Sequence, residues 1–285
     1  MTQASQQQIE AFFAVAKTLS FSKASEELHL TQSAISHRIK NLEDTLSVSL
    51  FIRRPSGVQV TPAGEVLFRY CKVRQGLDEE LVRDISAEVS GDLGGHVRVA
   101  AYSSVLRSVI MPALSKLMES HDKVVFEFIC YNQEKLPDLL HHSKAEFIVM
   151  DHRLEEPKVR KDLLGYERMV VIEHKDLESR QDIYIDNSPE DRVTEQFFIA
   201  QGDLQKYRRI FFSDCYGIIE GVQRKLGRAV MPAHLLGNLH DVRIVSEFQP
   251  YTVGVYLHYY EQAYYSRLHQ SVVEELSKNC HDLLS

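Results

Sequence analysis

Gln32, Ser33, Ser36, His37 and Lys40 fall on one arc of a helix turning by about 100° per residue, uninterrupted by any large apolar side chain. Thr31, a candidate N-cap, stands at the head of that arc. Amide and small hydroxyl groups at a helix N-terminus suit close approach to base edges, with a lysine beside them for phosphate. An ordinary solvated face has the same composition, so the arc alone leaves both readings open. The following stretch, Leu50 to Val60, reads as two β-prone runs around a Pro-Ser-Gly turn, a small hairpin with Arg53 and Arg54 adjacent on its first strand. Arginines on a projecting loop suit phosphate or the minor groove, although such a pair also occurs on a plain solvated turn.

Other reactive residue types form no comparable pattern. Cys71, Cys130, Cys215 and Cys280 are widely spaced with no CxxC pair, as expected of reduced thiols rather than a disulfide framework or zinc site. Cys215 would begin a helix, where thiolates are favoured, but cysteine is equally a small buried apolar residue. His141 and His142 are adjacent rather than one helical turn apart, which suits no helical metal site. The sequence contains no GxGxxG after a strand, no Walker A, no HExxH and no GxSxG, so an α/β enzyme is the weaker alternative. No catalytic residue, metal or cofactor is expected.

The elements that would carry these residues are legible in outline. Ile9, Phe12, Phe13 and Ala16 predict a helix from about 6 to 18. Ser22 offers an N-cap for a short helix through Leu28, and Thr31 caps the next, which runs to about Leu46 with Ile35, Ile39, Leu42 and Leu46 in one arc. Only His29 and Leu30 separate Thr31 from the helix before it. Two helices joined so closely cross steeply, as in a helix-turn-helix. Thr61-Pro62 opens a helix reaching about Ser90, with an apolar stripe of Val66, Tyr70, Val73, Leu77, Leu81, Ile85 and Val89. At 1.5 Å per residue it would span about 43 Å. Such a helix either pairs with its own copy or packs on the following domain. Beyond Gly91, Gly94 and Gly95, strands near 96–101, 124–131, 146–150, 168–173, 182–186, 209–213, 228–231, 242–246 and 253–258 alternate with helices near 105–120, 135–142, 215–226 and 264–284. That alternation predicts an α/β region with mostly parallel sheets.

Composition supports a globular protein of about two domains: 285 residues, 44% hydrophobic and 26% charged. The polar residues 1–10 suggest no signal peptide, and no apolar run approaches a membrane span, so a cytoplasmic location is expected. The net charge of −7 is an average over unlike parts. Residues 1–70 hold 7 Lys+Arg against 6 Asp+Glu, a net of +1, and the remainder carries −8. Four of those seven cations fall between Arg38 and Arg54, so any phosphate-facing surface is local.

The stretches FFAVAKTLSFSKASEELHLTQSAISHRIKNLEDTLSVSLFIRR and VQVTPAGE resemble the winged helix-turn-helix of LysR-type transcriptional regulators. GHVRVAAYSSVLRSVIMPAL and GIIEGVQRKLGRAVMPAHLL are similar to segments of that family's effector domain. The resemblance implies an α+β multidomain chain. Its parts would be a winged helix-turn-helix over 1–61, a linker and dimerisation helix over 62–90, and an effector-binding domain over 95–285, like periplasmic binding proteins. Subdomain I would comprise about 95–160 plus 263–285, and subdomain II about 161–262. Gln32, Ser36 and Arg53 match the family's DNA-contact positions, whereas Ser33 stands where Pro is common and His37 where Arg is common. With Thr31, Lys40 and Arg54 they form the expected DNA-binding set. Tyr70, Val73, Leu77, Leu81 and Ile85 form the expected dimer seam.

For the effector cleft, ligands are expected outside the carboxyl ends of strands. That rule selects Tyr102, Ser103 and Ser104, then Asn132 and Gln133, Asp151 and His152, and finally Asp214, Cys215 and Tyr216. Ser103 and Ser104 precede a helix whose free N–H groups suit a carboxylate, although helix capping explains the same serines. Asp214 is equally a plain N-cap candidate. The implied partners are double-stranded DNA, a small-molecule effector, a second copy of the chain as dimer or tetramer, and RNA polymerase. A redox-responsive regulator acting through Cys215 is the alternative.

Overall fold

The computed structural model describes residues 4–54, 57–86, 93–176, 180–202, 206–237 and 239–284. The chain divides into two compact units, residues 1–91 with 141–143, and residues 92–140 with 144–285.

The first unit contains α1 (Gln6–Thr18), α2 (Phe21–Glu27), α3 (Gln32–Leu46), the hairpin β1 (Phe51–Arg54) and β2 (Gly57–Val60), and α4 (Pro62–Ser86). Ser5 and Gln8 close a capping box on α1, and the Thr31 hydroxyl accepts from Ala34 N at the start of α3. The cap of α2 is Ser20, not the expected Ser22, because Phe21 must enter the core and is drawn into the first turn. Its ring meets Phe51 edge-on at 6.1 Å. Ile35, Ile39 and Leu42 are sealed against Phe12 and Val15 of α1. Leu46, expected on the same arc, ends α3 exposed. Gly64 sits where α4 crosses the hairpin base. A Cβ there would lie 2.4 Å from the Leu50 carbonyl oxygen, so only glycine allows this approach. The expected extension of α4 over 87–90 lies outside the described residues.

The second unit contains, in chain order, β3 (Gly95–Ala101), α5 (Ser103–Val105), a π-helical turn (Leu106–Ile110), α6 (Met111–Ser120), β4 (Val124–Cys130), α7 (Leu136–His141) and β5 (Phe147–Met150). Then come β6 (Val159–His174), β7 (Ile183–Asp186), α8 (Val193–Gln201), β8 (Arg208–Phe211), α9 (Cys215–Gln223), β9 (Ala229–Pro232), β10 (Val242–Ile244), β11 (Tyr251–Tyr260) and α10 (Arg267–Leu284). Among the described residues, seven strands form one sheet in the order β10-β6-β11-β5-β3-β4, with β9 also on β6, while β7 and β8 pair separately.

This corrects the expectation of mostly parallel sheets. Among the described residues of the large sheet, β3–β4 and β3–β5 are parallel, and the pairs involving β6 and β11 are antiparallel. The cause is that β6 and β11 are long strands running beside each other through the whole sheet, and the short strands attach to their two ends. At one end, β3 and β5 bury Val97, Val99 and Phe147 against Leu114 of α6 and Val272 and Leu276 of α10. At the other, β6 alternates: Val170 and Ile172 meet Ile218, Ile219 and Val222 of α9, while Met169 and Val171 face Tyr184, Phe197 and Phe198.

Candidate functional site

In the first unit, α3 divides its two faces as its sequence requires. Ile35 and Ile39 are fully buried, while Gln32, Ser33, His37 and Lys40 are exposed and Ser36 half-buried. The Thr31 and Ser33 hydroxyls lie 3.0 Å apart at the helix start, and Asn41 Nδ2 lies 3.3 Å from His37 Nδ1. All the predicted groove-facing side chains thus share one solvent-facing surface.

The hairpin is fixed to this helix by a residue that sequence reading missed. Glu43 Oε1 accepts from both Leu50 N, at 2.6 Å, and Phe51 N, at 3.2 Å. An acidic residue near a helix C-terminus opposes the helix dipole, and that anomaly was the available signal. The Thr61 hydroxyl completes the base, donating to Ser49 O and accepting from Gly64 N. On the hairpin, the Arg53 guanidinium lies 4.4 Å from the Phe21 ring centroid, which steadies it while it stays exposed, as does Arg54.

Along α4, Val66, Tyr70 and Leu81 are 59%, 56% and 58% exposed, while Val73 and Leu77 are half-buried. Three apolar side chains so exposed on one helix constitute an unsatisfied stripe. The side chains of Ile85 and Val89 lie outside the described residues.

In the second unit, the expected effector residues separate into groups. Tyr102 and Ser103 lie where the two ends of the sheet meet. The Ser103 hydroxyl donates to Cys215 Sγ at 3.4 Å, and the Arg107 guanidinium stacks 4.8 Å from the Tyr216 ring centroid. The Tyr102 hydroxyl donates to Glu167 Oε2 at 2.8 Å. Glu167 Oε1 also faces His234 Nε2 at 2.8 Å, and His234 Nδ1 lies 2.8 Å from Ser108 Oγ. Burial first, then the charges of Glu167 and Asp151, push the Tyr102 hydroxyl well above its ordinary pKa, so it remains a donor.

The remaining expected residues are less central. Ser104 is buried and its carbonyl accepts from Ser108, so its hydroxyl is not on the open surface. Gln133 Oε1 accepts from Asp151 N at 3.1 Å, and Asp151 Oδ1 pairs with His152 Nδ1 at 2.7 Å, a group at the ends of β4 and β5. Asn132 is exposed and caps a short 3₁₀ turn through its carbonyl. The Asp214 carboxylate accepts from Tyr216 N and Gly217 N, which is the N-cap role.

The thiol at Cys215 does not behave as a helix-terminal thiolate. Burial raises its pKa; the Ser103 bond works in the opposite sense, but Asp214 adds to the rise. Burial likewise pushes Cys71 to about 11 and Cys280 to about 12. Glu167, His234 and Ser108 were not expected as site residues. The available signal was a carboxylate in the middle of the apolar strand run GYERMVVIE.

Comparison with known proteins agrees with both units. Residues 6–65 match the family described as bacterial regulatory helix-turn-helix protein, lysR family, and residues 90–281 match the LysR substrate binding domain. The RuBisCO operon transcriptional regulator of Allochromatium vinosum is 28% identical over 252 residues, 84% of this chain and 81% of that protein. HdfR of Yersinia enterocolitica is 25% identical over 55% of this chain, which spans about half (53%) of that regulator. Among solved structures, ArgP from Mycobacterium tuberculosis superposes with a TM-score of 0.79 at 19% identity, covering 96% of this chain and 97% of that one. Full-length LysG from Corynebacterium glutamicum with bound effector Arg has a TM-score of 0.77 at 18% identity, covering 98% of each chain.

Proposed function

The chain belongs to the LysR family of DNA-binding transcriptional regulators with an effector-binding domain, and from that premise we propose how its residues divide the work. Gln32, Ser33, Ser36 and His37 read base edges in the major groove, with Thr31 and Lys40 beside them. Arg53 and Arg54 hold the backbone or minor groove from the hairpin. The observation that carries this reading is the exposed polar arc of α3 laid directly over its sealed apolar face. A glutamine presents a donor and an acceptor to adenine, which gives discrimination between bases rather than affinity alone. His37 offers a shorter ring donor in place of the guanidinium fork common at that position, so its base preference is weaker.

The exposed stripe of α4 pairs two copies of the chain, giving a dimer or higher assembly that spans two half-sites, with RNA polymerase as a further partner. A small metabolite occupies the seam where the two ends of the sheet meet, between the subdomains 95–160 plus 263–285 and 161–262. Ser103, Tyr102, Arg107, Tyr216 and Cys215 surround it. The N-terminus of the helical run that starts at Ser103 supports a ligand carrying a carboxylate. The solved relative that holds arginine as an effector supports placing a small molecule in this domain. A ligand that prefers one arrangement of the seam shifts DNA binding by its differential affinity, and DNA shifts ligand affinity by the same factor. Calorimetric screening of amino acids and organic acids, followed by footprinting with each hit, tests this reading. Loss of a hit in Ser103→Val with DNA binding retained is the expected result. Footprints unaltered by any binding metabolite would overturn it.

A further inference from the structure

The network at the seam fixes its own proton count. The side chains of His234, in the 3₁₀ turn Ala233–Leu235, and Glu167, on β6, are only 2% and 4% exposed. Ser108 Oγ lies 2.6 Å from the Ser104 carbonyl oxygen and 2.8 Å from His234 Nδ1. A hydroxyl has one proton, and two oxygens at that separation, one of them a carbonyl, are held together only by a proton between them. Ser108 therefore accepts from His234, and Nδ1 carries a hydrogen. On the other side of the ring, Nε2 lies 2.8 Å from Glu167 Oε1, and Glu167 Oε2 is already occupied by the Tyr102 hydroxyl. A second hydrogen must lie between Nε2 and Oε1. Placed on nitrogen, it makes an imidazolium facing a carboxylate; placed on oxygen, it makes a neutral imidazole facing a carboxylic acid. Both arrangements hold one proton more than a neutral histidine beside an ionised glutamate.

We propose that this proton is a resident ligand of the effector domain: the Ser108–His234–Glu167 chain is a latch that closes the seam only when the extra proton is bound. The position of its three members gives the latch its leverage. Ser108 lies on the π-helical turn at one end of the sheet, His234 follows β9 at the other, and Glu167 lies on the strand that both ends share. When the proton leaves, a neutral ring has one N–H for two acceptors. Either the Ser108 bond or the Glu167 bond is lost, and a lone pair is left facing an oxygen in a buried site.

The other ionisable groups around the network come from each packed element. Asp151, beyond β5, acts on Tyr102, while Arg107 and Asp214 act on Cys215 beside Ser103. The His281 backbone of α10 lies near Gly165 of β6, while its side chain is exposed and lies 3.4 Å from Asp282. Taking the latch to govern effector access rests on the seam being the ligand site; the proton count does not.

The test uses the full chain with ring nitrogen-15 histidine, its His234 signals assigned through His234→Gln. With the latch closed, either both His234 ring nitrogens carry hydrogen, or Nδ1 alone carries it while the Glu167 carboxyl, followed by carbon-13, is the neutral acid; a neutral histidine beside an ionised glutamate shows neither state. Ser108→Ala should remove the hydrogen from Nδ1 and leave Nε2 bonded to Glu167, and Glu167→Gln should make the ring neutral. Amide exchange over residues 103–110, corrected for its intrinsic pH dependence, should rise by about tenfold or more as the His234–Glu167 pair loses its extra proton. In Ser108→Ala that rise should disappear. A single protonated ring nitrogen beside an ionised Glu167, at every pH at which the chain stays folded, overturns the proposal whatever the variants do, and so does exchange that ignores the proton count of the pair. Two protonated nitrogens with no metabolite altering the footprint would leave the latch standing and remove the ligand reading. Metabolite-sensitive footprints with a singly protonated ring beside an ionised Glu167 would do the opposite.

Discussion

His258 makes the second unit sensitive to acid, by an amount that can be worked out. It lies on β11, fully buried, paired with Ile148 of β5 and Lys161 of β6. Leu154 N donates to its Nε2 at 3.0 Å, so the neutral ring keeps its proton on Nδ1 and protonation would cost the Leu154 bond. Burial, reinforced by His152, lowers its pKa from 6.5 to about 4. The unfolded chain therefore takes up a proton near pH 6.5 and the folded chain near pH 4. Between these values the unfolded state holds more protons, so stability is complete above the upper value and falls as pH drops toward the lower one. At about 1.4 kcal/mol per tenfold, the loss between about pH 7 and about pH 4.5 is about 2 kcal/mol. His258→Gln keeps an acceptor for Leu154 N without a titrating group, which isolates this contribution from that of the carboxylates. Amide exchange of the strand 251–260, read as an opening free energy at the two pH values, is the assay. The unmodified chain should lose about 2 kcal/mol more than the variant. Equal losses in the two proteins would refute the assignment of acid sensitivity to His258.

Three other perturbations separate the parts of the molecule. Glu43→Ala leaves two backbone N–H groups at the hairpin base without their acceptor, a cost of about 1–3 kcal/mol. Fluorescence anisotropy should then show weaker binding to a preferred duplex and a random one alike; an unchanged affinity for both would deny Glu43 its positioning role. Leu77→Asp with Leu81→Asp puts two charges into an apolar seam. Sedimentation should show smaller species with the effector domain still folded, and an unchanged mass would return the stripe to packing within one chain. Cys215 should be alkylated more slowly near about pH 7 than a free cysteine, because burial keeps it as a thiol. Site-resolved mass spectrometry that finds it reacting faster than Cys130 would instead favour the redox alternative.

What could be read from the sequence followed from the range of the interactions. The α3 surface was legible because its polar arc and its apolar arc repeat within fifteen residues, and both periods come from one helix. The hairpin and the start of α4 were legible through local turn and cap chemistry. The beginning of β6 was not, because Val159 is followed by three charged residues in a row, Arg160, Lys161 and Asp162, which show neither an apolar run nor a strand alternation. Helix α8 was also missed: Phe197 and Phe198 are adjacent and both buried, so the segment shows no helical period. The parallel reading failed because strand direction is set by where the two long strands return, and no local pattern records that. Glu167 and His234 were missed for a related reason. They are 67 positions apart, and Glu167 is in the middle of a strand, where a rule about strand ends does not look.

The assignment of base reading to the exposed face of α3 is tested most directly by one ratio. Fragments bound by the full chain across its own genome define a preferred duplex, and its affinity is compared with that for a scrambled duplex, before and after Gln32→Ala. A bidentate amide contact to adenine contributes about 1–3 kcal/mol of discrimination, so the ratio of the two affinities should fall by about fivefold to a hundredfold while scrambled binding changes little. Equal weakening on both duplexes would show that Gln32 does not read sequence, and would contradict the placement of the recognition surface on this face.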